Sequence, residues 1–227
     1  MNLDILKVKA QIEHHKKFDK IDKRLIKPPF LGVLNGSVRT GKSTILMNLI
    51  YNANFYKGLF DKIIFISQTV NNDLTLTHLH DDDDILKIND KLEDLDSILK
   101  AVIQAKEDDD DEKDKFYLII LDDCLGYIKP RSYATYLCSR YRHYRISLIF
   151  TSQSFRSIPN IIRTNATFYL LFNTTNKKEY NKYIEEFGGL FKNFGDMYSE
   201  ATFKPYNFLF LDLRNIKAYH NFDKLIS

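Results

Sequence analysis

Within Gly36-Ser37-Val38-Arg39-Thr40-Gly41-Lys42-Ser43-Thr44, the first eight residues fit the pattern G-x-x-x-x-G-K-[ST]. The chemistry this spacing serves is the binding of a nucleoside triphosphate. Glycines let the backbone turn tightly, so that successive N–H groups converge on phosphate oxygens, and the helix that follows adds a partial positive charge at its start. Lys42 is placed to reach the β- and γ-phosphates, and the Ser43 hydroxyl to ligate Mg²⁺. The plain alternative is a chance match in an ordinary turn. Four specified positions with the right flanks argue against it.

A second group of residues complements the first. Phe116-Tyr117-Leu118-Ile119-Ile120-Leu121 runs into Asp122-Asp123, an apolar stretch that delivers two carboxylates at its end. Asp122 is expected to hold the Mg²⁺ shell through water and Asp123 to polarise the attacking water. Ile146-Ser147-Leu148-Ile149-Phe150 ends in the polar trio Thr151-Ser152-Gln153, where Gln153 is placed to sense the γ-phosphate and orient water by hydrogen bonding. An acidic strand end that merely caps a turn, and a glutamine that merely faces solvent, are the bland readings of these two.

These residues need elements to present them. Phe30 to Leu34 reads as a buried strand ahead of the glycine loop. Ile45, Leu46, Leu49 and Ile50 give the stretch Ser43 to Tyr51 a helical period. Lys62 to Ser67, Thr167 to Phe172 and Phe208 to Leu213 read as further strands, the last closing the sheet. Helices are expected over Leu86 to Ala105 (Leu92, Leu95, Leu99, Val102), Ser132 to Tyr144, Lys177 to Phe187 and Leu190 to Ala201, with Gly188-Gly189 ending the third. Ser154 to Asn165 reads as a loop. Alternating strands and helices predict an α/β fold, a P-loop NTPase whose mostly parallel central sheet is flanked by helices, of the RecA-like, additional-strand type. In that arrangement the strand ending at Gln153 lies between the other two functional strands. Residues 1–27 read as a basic helical arm with Leu3, Leu6, Ile12, Phe18, Ile21 and Leu25 along it, stopped by Pro28-Pro29. Residues 28–227 form the P-loop domain.

Composition bounds the rest. The 227 residues are 44% hydrophobic, ample for one buried core, and the net charge of +3 is mild. Residues 1–28 nevertheless hold eight Lys/Arg against four Asp/Glu. That is either a polyanion-binding arm or a solvated helix face. No apolar run reaches the roughly 18 residues of a membrane span, and the polar start is unlike a secretory signal. Two cysteines, Cys124 and Cys138, fit a reducing compartment and inert packing better than a disulfide framework. His78, His80 and Asp81–Asp84 lack metal-site spacing and read as a solvated loop.

Taken together, the phosphate loop after a Pro-Pro-Phe strand, the Asp122-Asp123 pair, Thr151-Ser152-Gln153, Ile158 to Thr167, and Tyr206 to Asp212 resemble the poxvirus-type genome-packaging ATPases. Those belong to the FtsK/HerA clade of large DNA viruses and virophages. The resemblance covers roughly residues 28–213. It implies an ATP-driven, Mg²⁺-dependent motor that moves double-stranded DNA into a preformed capsid. It further implies a homo-oligomeric ring, pentamer or hexamer, docked on capsid or portal vertex proteins, in the host cytoplasm (the virus factory) or the virion. Carried over, Lys42 and Ser43 are the phosphate-loop pair, Asp122 and Asp123 the acidic pair and Gln153 the sensor. Such rings often complete a neighbour's site with an arginine, and Arg163 is the first candidate, ahead of Arg156 and Arg142. Arg39, inside the loop itself, is similar to an arginine that acts in cis in large terminases. DNA contacts would fall on Lys7–Lys27 or around Arg140–Arg145. Two other readings compete with the motor: a nucleotide-dependent assembly switch that binds ATP but barely turns it over, and a small-molecule or nucleoside kinase.

Overall fold

The computed structural model describes residues 15–69, 73–76, 79, 82, 84–88 and 92–227. Among these residues nine strands form one sheet in the order β3-β2-β4-β5-β1-β6-β7-β8-β9. They are β1 (Leu31–Asn35), β2 (Lys62–Ser67), β3 (Ile85–Ile88), β4 (Tyr117–Asp122), β5 (Ile146–Ser152), β6 (Phe168–Phe172), β7 (Phe208–Asp212), β8 (Lys217–His220) and β9 (Lys224–Leu225). Strands β1 to β6 pair in parallel, whereas β7, β8 and β9 add on antiparallel to β6 and to each other. The helices are α1 (Lys42–Tyr51), α2 (Leu95–Asp108), the single turn α3 (Asp110–Lys113), α4 (Tyr133–Arg140), α5 (Asn160–Asn165), α6 (Lys177–Phe187) and α7 (Phe194–Ala201).

Every residue of β1, β4, β5, β6 and β7 is buried, as a sheet covered on both faces requires. Alternation along each strand divides the core in two. Leu31, Val33, Ile119, Leu121, Phe150, Tyr169 and Leu171 face α2, α4, α5, α6 and α7. Leu34, Leu118, Ile120, Ile149, Leu170 and Phe172 face α1 and the segment carrying Phe18, Ile21, Leu25 and Ile26. Gly32 leaves room for its cross-strand partner, since a Cβ there would fall inside the Phe168 ring.

As expected from the strand inventory, β5 lies between β1 and β4. Several expectations give way. Phe208–Asp212 does not close the sheet: β8 and β9 extend it. Leu86 to Ile88, expected to open a helix, belong instead to the strand Ile85–Ile88, which pairs with β2, and α2 begins only at Leu95. Its four residues alternate too weakly to signal a strand at the sheet edge. The expected loop after β5 contains α5, entered from Pro159. Residues 1–14 of the expected basic arm lie outside the described residues. Of the rest, Lys16–Lys20 is one 3-10 turn and Phe18, Ile21, Leu25 and Ile26 are buried. Apolar side chains at irregular spacing serve contact with the sheet here, not a continuous helix.

Candidate active site

The C-terminal ends of the parallel strands share one edge, where open α/β sheets bind ligands. A cavity of about 590 Å³ opens there, lined among others by Arg39, Lys42, Ser43, Asp73, Asp122, Asp123, Gln153 and Tyr206. The sequence-predicted groups therefore meet in one place: the phosphate loop after β1, the acidic pair at the end of β4, and Gln153 after β5.

Backbone geometry makes the loop. Gly41 sits at φ 102°, in the left-handed region, and caps α1, which starts at Lys42. A Cβ on Gly36 would come 2.6 Å from Phe172 Cβ and 2.8 Å from Thr40 Oγ1, so only glycine lets the chain leave β1 here. Thr40 Oγ1 donates to the Ser37 carbonyl at 2.8 Å and ties the turn together. Lys42 Nζ reaches back over the loop and donates to the carbonyls of Gly36 (2.7 Å) and Ser37 (2.8 Å). Burial pulls the Lys42 ammonium below its ordinary pKa, against the opposing attraction of Asp122 and Asp123.

Asp122 is buried at the end of β4 and held by two neutral hydroxyls. Thr151 Oγ1 donates to Oδ1 at 2.6 Å and Ser67 Oγ to Oδ2 at 3.0 Å. Desolvation raises its pKa, although both hydrogen bonds favour the carboxylate. Asp123 turns away at φ 54°. Its N–H donates to Thr151 Oγ1 at 2.9 Å, and its carboxylate accepts from Gln153 Nε2 at 2.7 Å. Thr151 thus couples the two aspartates, and Gln153 orients the second. Ser43 Oγ donates to Asp73 Oδ2 at 2.8 Å.

The donors suit a hard cation. Ser43 offers a hydroxyl, Asp122 and Asp73 offer carboxylates, and all are oxygen ligands. Among the described residues no group of three or more His, Cys, Asp or Glu forms a dedicated cage. A site with so few protein ligands matches Mg²⁺, which keeps waters and borrows phosphate oxygens.

The other candidates lie elsewhere. Arg163, on α5, is outside the cavity: Nη1 donates to Glu186 at 2.7 Å and the guanidinium lies 5.9 Å from the Phe155 ring centre. Arg140 stacks on Tyr136, Arg142 Nε donates to the Tyr141 hydroxyl, and Arg145 pairs with Asp114. Arg140 ends α4, and the turn carrying the other two leads into the start of β5, at the opposite edge of the sheet. His78 and His80 are outside the described residues. Cys124 and Cys138 are buried, and their thiols are pushed up to about 12, as packing groups rather than nucleophiles would be.

Sequence reasoning missed Asp73, Ser67 and the bridging role of Thr151. Hydroxyl residues at the ends of β2 and β5 were the available signal, because parallel strands bring their last residues to the same edge. Asp73 had none: it belongs to a loop with no period.

A family model described as Poxvirus A32 protein matches residues 15–184. The genome packaging NTPase B204 from Sulfolobus turreted icosahedral virus 2, in complex with ATP-gammaS, superposes with a TM-score of 0.61. Identity is 18%, over 85% of this chain and 96% of that one. The same NTPase with AMP gives 0.63 at 15% identity, over 89% and 98% of the two chains. ATPases 2 and 3 of Thermomonospora curvata EccC, in complex with a signal sequence peptide, give 0.54 at 13% identity, over 82% of this chain and 35% of that one. At such identities the likeness is one of fold. No curated protein matches the chain at a significant level.

Proposed function

The chain belongs to the poxvirus A32 protein family, and from that premise we propose that it is an ATP-hydrolysing motor that packages double-stranded viral DNA. One observation carries this reading: Lys42 and Ser43 of the phosphate loop share a crevice with Asp122, Asp123 and Gln153. The fold it shares with a genome packaging NTPase solved with ATP-gammaS supports it.

In this mechanism the loop N–H groups and Lys42 bind the β- and γ-phosphates. Lys42 must first exchange its two loop carbonyls for phosphate oxygens. Ser43 and Asp122 would hold Mg²⁺, with Asp73 beside Ser43. The chemistry such an ion would supply there is positive charge against the phosphates. Asp123 accepts a hydrogen bond from the attacking water, while Gln153 fixes the carboxylate's direction and lies within reach of the same water. Arg39 is the arginine already in the crevice, so it acts within its own chain. Arg163 can serve only a neighbouring subunit's site, in the ring the resemblance implies, and must first release Glu186. Double-stranded DNA would be held by its phosphates, as a sequence-indifferent translocase requires. Ring formation, docking on a capsid or portal vertex and action in the virus factory or virion belong to the same proposal. Among the described residues no helix is long and apolar enough to cross a membrane.

Phosphate release from ATP, measured with and without linear duplex DNA, tests the proposal. Release should occur with water alone and rise with DNA. Lys42→Ala should lower it by about 10²–10³. Asp123→Asn should lower it by about 10²–10⁴ while ATP still binds. Unchanged release in Asp123→Asn would favour the assembly switch, and release that needs a nucleoside acceptor would favour the kinase.

A further inference from the structure

The segment Thr202–Asn207 joins α7 to β7 and rises beside the phosphate loop. Both its ends are tied down. Thr202 is buried, its Oγ1 donates to the Tyr198 carbonyl at 2.8 Å, and its own carbonyl accepts from Asn173 Nδ2 at 3.2 Å. At the far end Asn207 Nδ2 lies 2.8 Å from His220 Nε2 on β8, and the Asn207 N–H turns back to the Lys204 carbonyl at 3.2 Å. Between these anchors Tyr206 is 70% exposed and adopts φ 67°, a backbone conformation that bulky residues rarely take. Packing does not explain so large a ring in so strained and open a place. Its position is more informative. Tyr206 lines the same cavity as Lys42 and Asp123, and a Cβ built on Gly41 would lie 3.5 Å from its Cδ1.

The direction of the sheet says which end of a nucleotide lies there. From β1, the acidic pair is reached across β5 on β4, whereas Tyr206 precedes β7, on the other side across β6. A triphosphate with its terminal phosphate at Asp122 and Asp123 runs over Lys42 toward β6 and β7. Its nucleoside then arrives where the Tyr206 ring stands. We propose that Tyr206 is the stacking platform for the nucleotide base. The proposal rests on the triphosphate reading of the crevice and adds a base subsite to it. The ring face, not the hydroxyl, makes the contact, and because every base has a π-face the platform favours no particular one.

The chain contains no tryptophan, so Tyr206→Trp creates a single reporter. ATP should quench its fluorescence. Inorganic tripolyphosphate, which lacks a base, should displace ATP from the loop without quenching. Tyr206→Ala should weaken ATP binding about tenfold and leave tripolyphosphate binding unchanged, and Tyr206→Phe should bind both as the parent does. Indole fluorescence of the Tyr206→Trp protein that is indifferent to saturating ATP overturns the platform, as does a Tyr206→Ala protein that binds ATP normally. Equal loss of ATP and tripolyphosphate in Tyr206→Ala also overturns it, by showing that the loop itself has collapsed. Failure of the underlying reading is separately visible: Lys42→Ala would then bind both polyphosphates undiminished, and the platform would fall with it.

Discussion

Asp122 illustrates how a single buried carboxylate is held by neutral groups alone. Among the described residues two hydroxyls and no basic group hydrogen-bond to it, so its charge is stabilised less than burial penalises it, and its pKa stands above the ordinary 3.8. The folded state therefore binds this proton more tightly than the unfolded chain does. Its contribution to stability is greatest below pH 3.8 and is lost as pH rises through the raised value. Asp122→Asn should accordingly raise the melting temperature of the nucleotide-free protein at neutral pH while abolishing Mg²⁺-dependent phosphate release. Thermal denaturation and phosphate release, each followed with and without MgATP, measure both. Lys42 carries the opposite sign of burial penalty. Because desolvation lowers its pKa, the ammonium that phosphate needs is lost earlier on the alkaline side than an exposed lysine's would be, and ATP affinity should fall there first. Gln153→Ala, which frees the Asp123 carboxylate, should lower turnover by about tenfold or more with little change in ATP affinity.

At the scale of elements, the strands that carry function were legible because they are buried on both faces and read as continuous apolar runs. Leu118 to Leu121 and Leu148 to Phe150 could hardly be anything else, and the polar residues after them stand out for that reason. The edges were not legible. Ile85–Ile88, at one edge, contains Lys87, and Lys217–His220, next to the two-residue strand at the other edge, contains two polar residues, because strands at the margins of a sheet need only one apolar face. The helix bearing Arg163 was hidden behind Pro159, which reads as a loop residue but here sits at the helix entry. Close strand packing gives a test. Gly32→Ala should destabilise the fold by about 1–3 kcal/mol, since β1 and β6 cannot separate around the Phe168 ring. Adding Phe168→Leu should recover part of that loss in chemical denaturation.

For the whole molecule, the sheet is asymmetric. Its parallel half places the phosphate loop, the acids and Gln153, and its antiparallel half places Tyr206. The first half follows from motif order, whereas the second depends on a loop whose exposure and backbone sign no pattern announces. If the motor grips duplex DNA by its phosphates, any DNA stimulation of phosphate release should fall steeply between about 50 and 200 mM salt, about 10³–10⁵ in affinity for roughly six to ten contacts. Basal release should change little over that range, and a titration of both separates grip from chemistry.

Just past Gln153, the carboxylate of Glu179 on α6 accepts from Ser154 Oγ at 2.8 Å and from the Phe155 N–H at 2.7 Å. Glu179 is nearly out of water, so those bonds are not readily traded for solvent. The consequence is mechanical. Gln153, which hydrogen-bonds the Asp123 carboxylate, is riveted, one residue on, to a rod of eleven residues on the far face of the sheet. Small displacements at the edge that carries Gln153 therefore arrive at α6 as a pull on the helix rather than dying out in a slack connection.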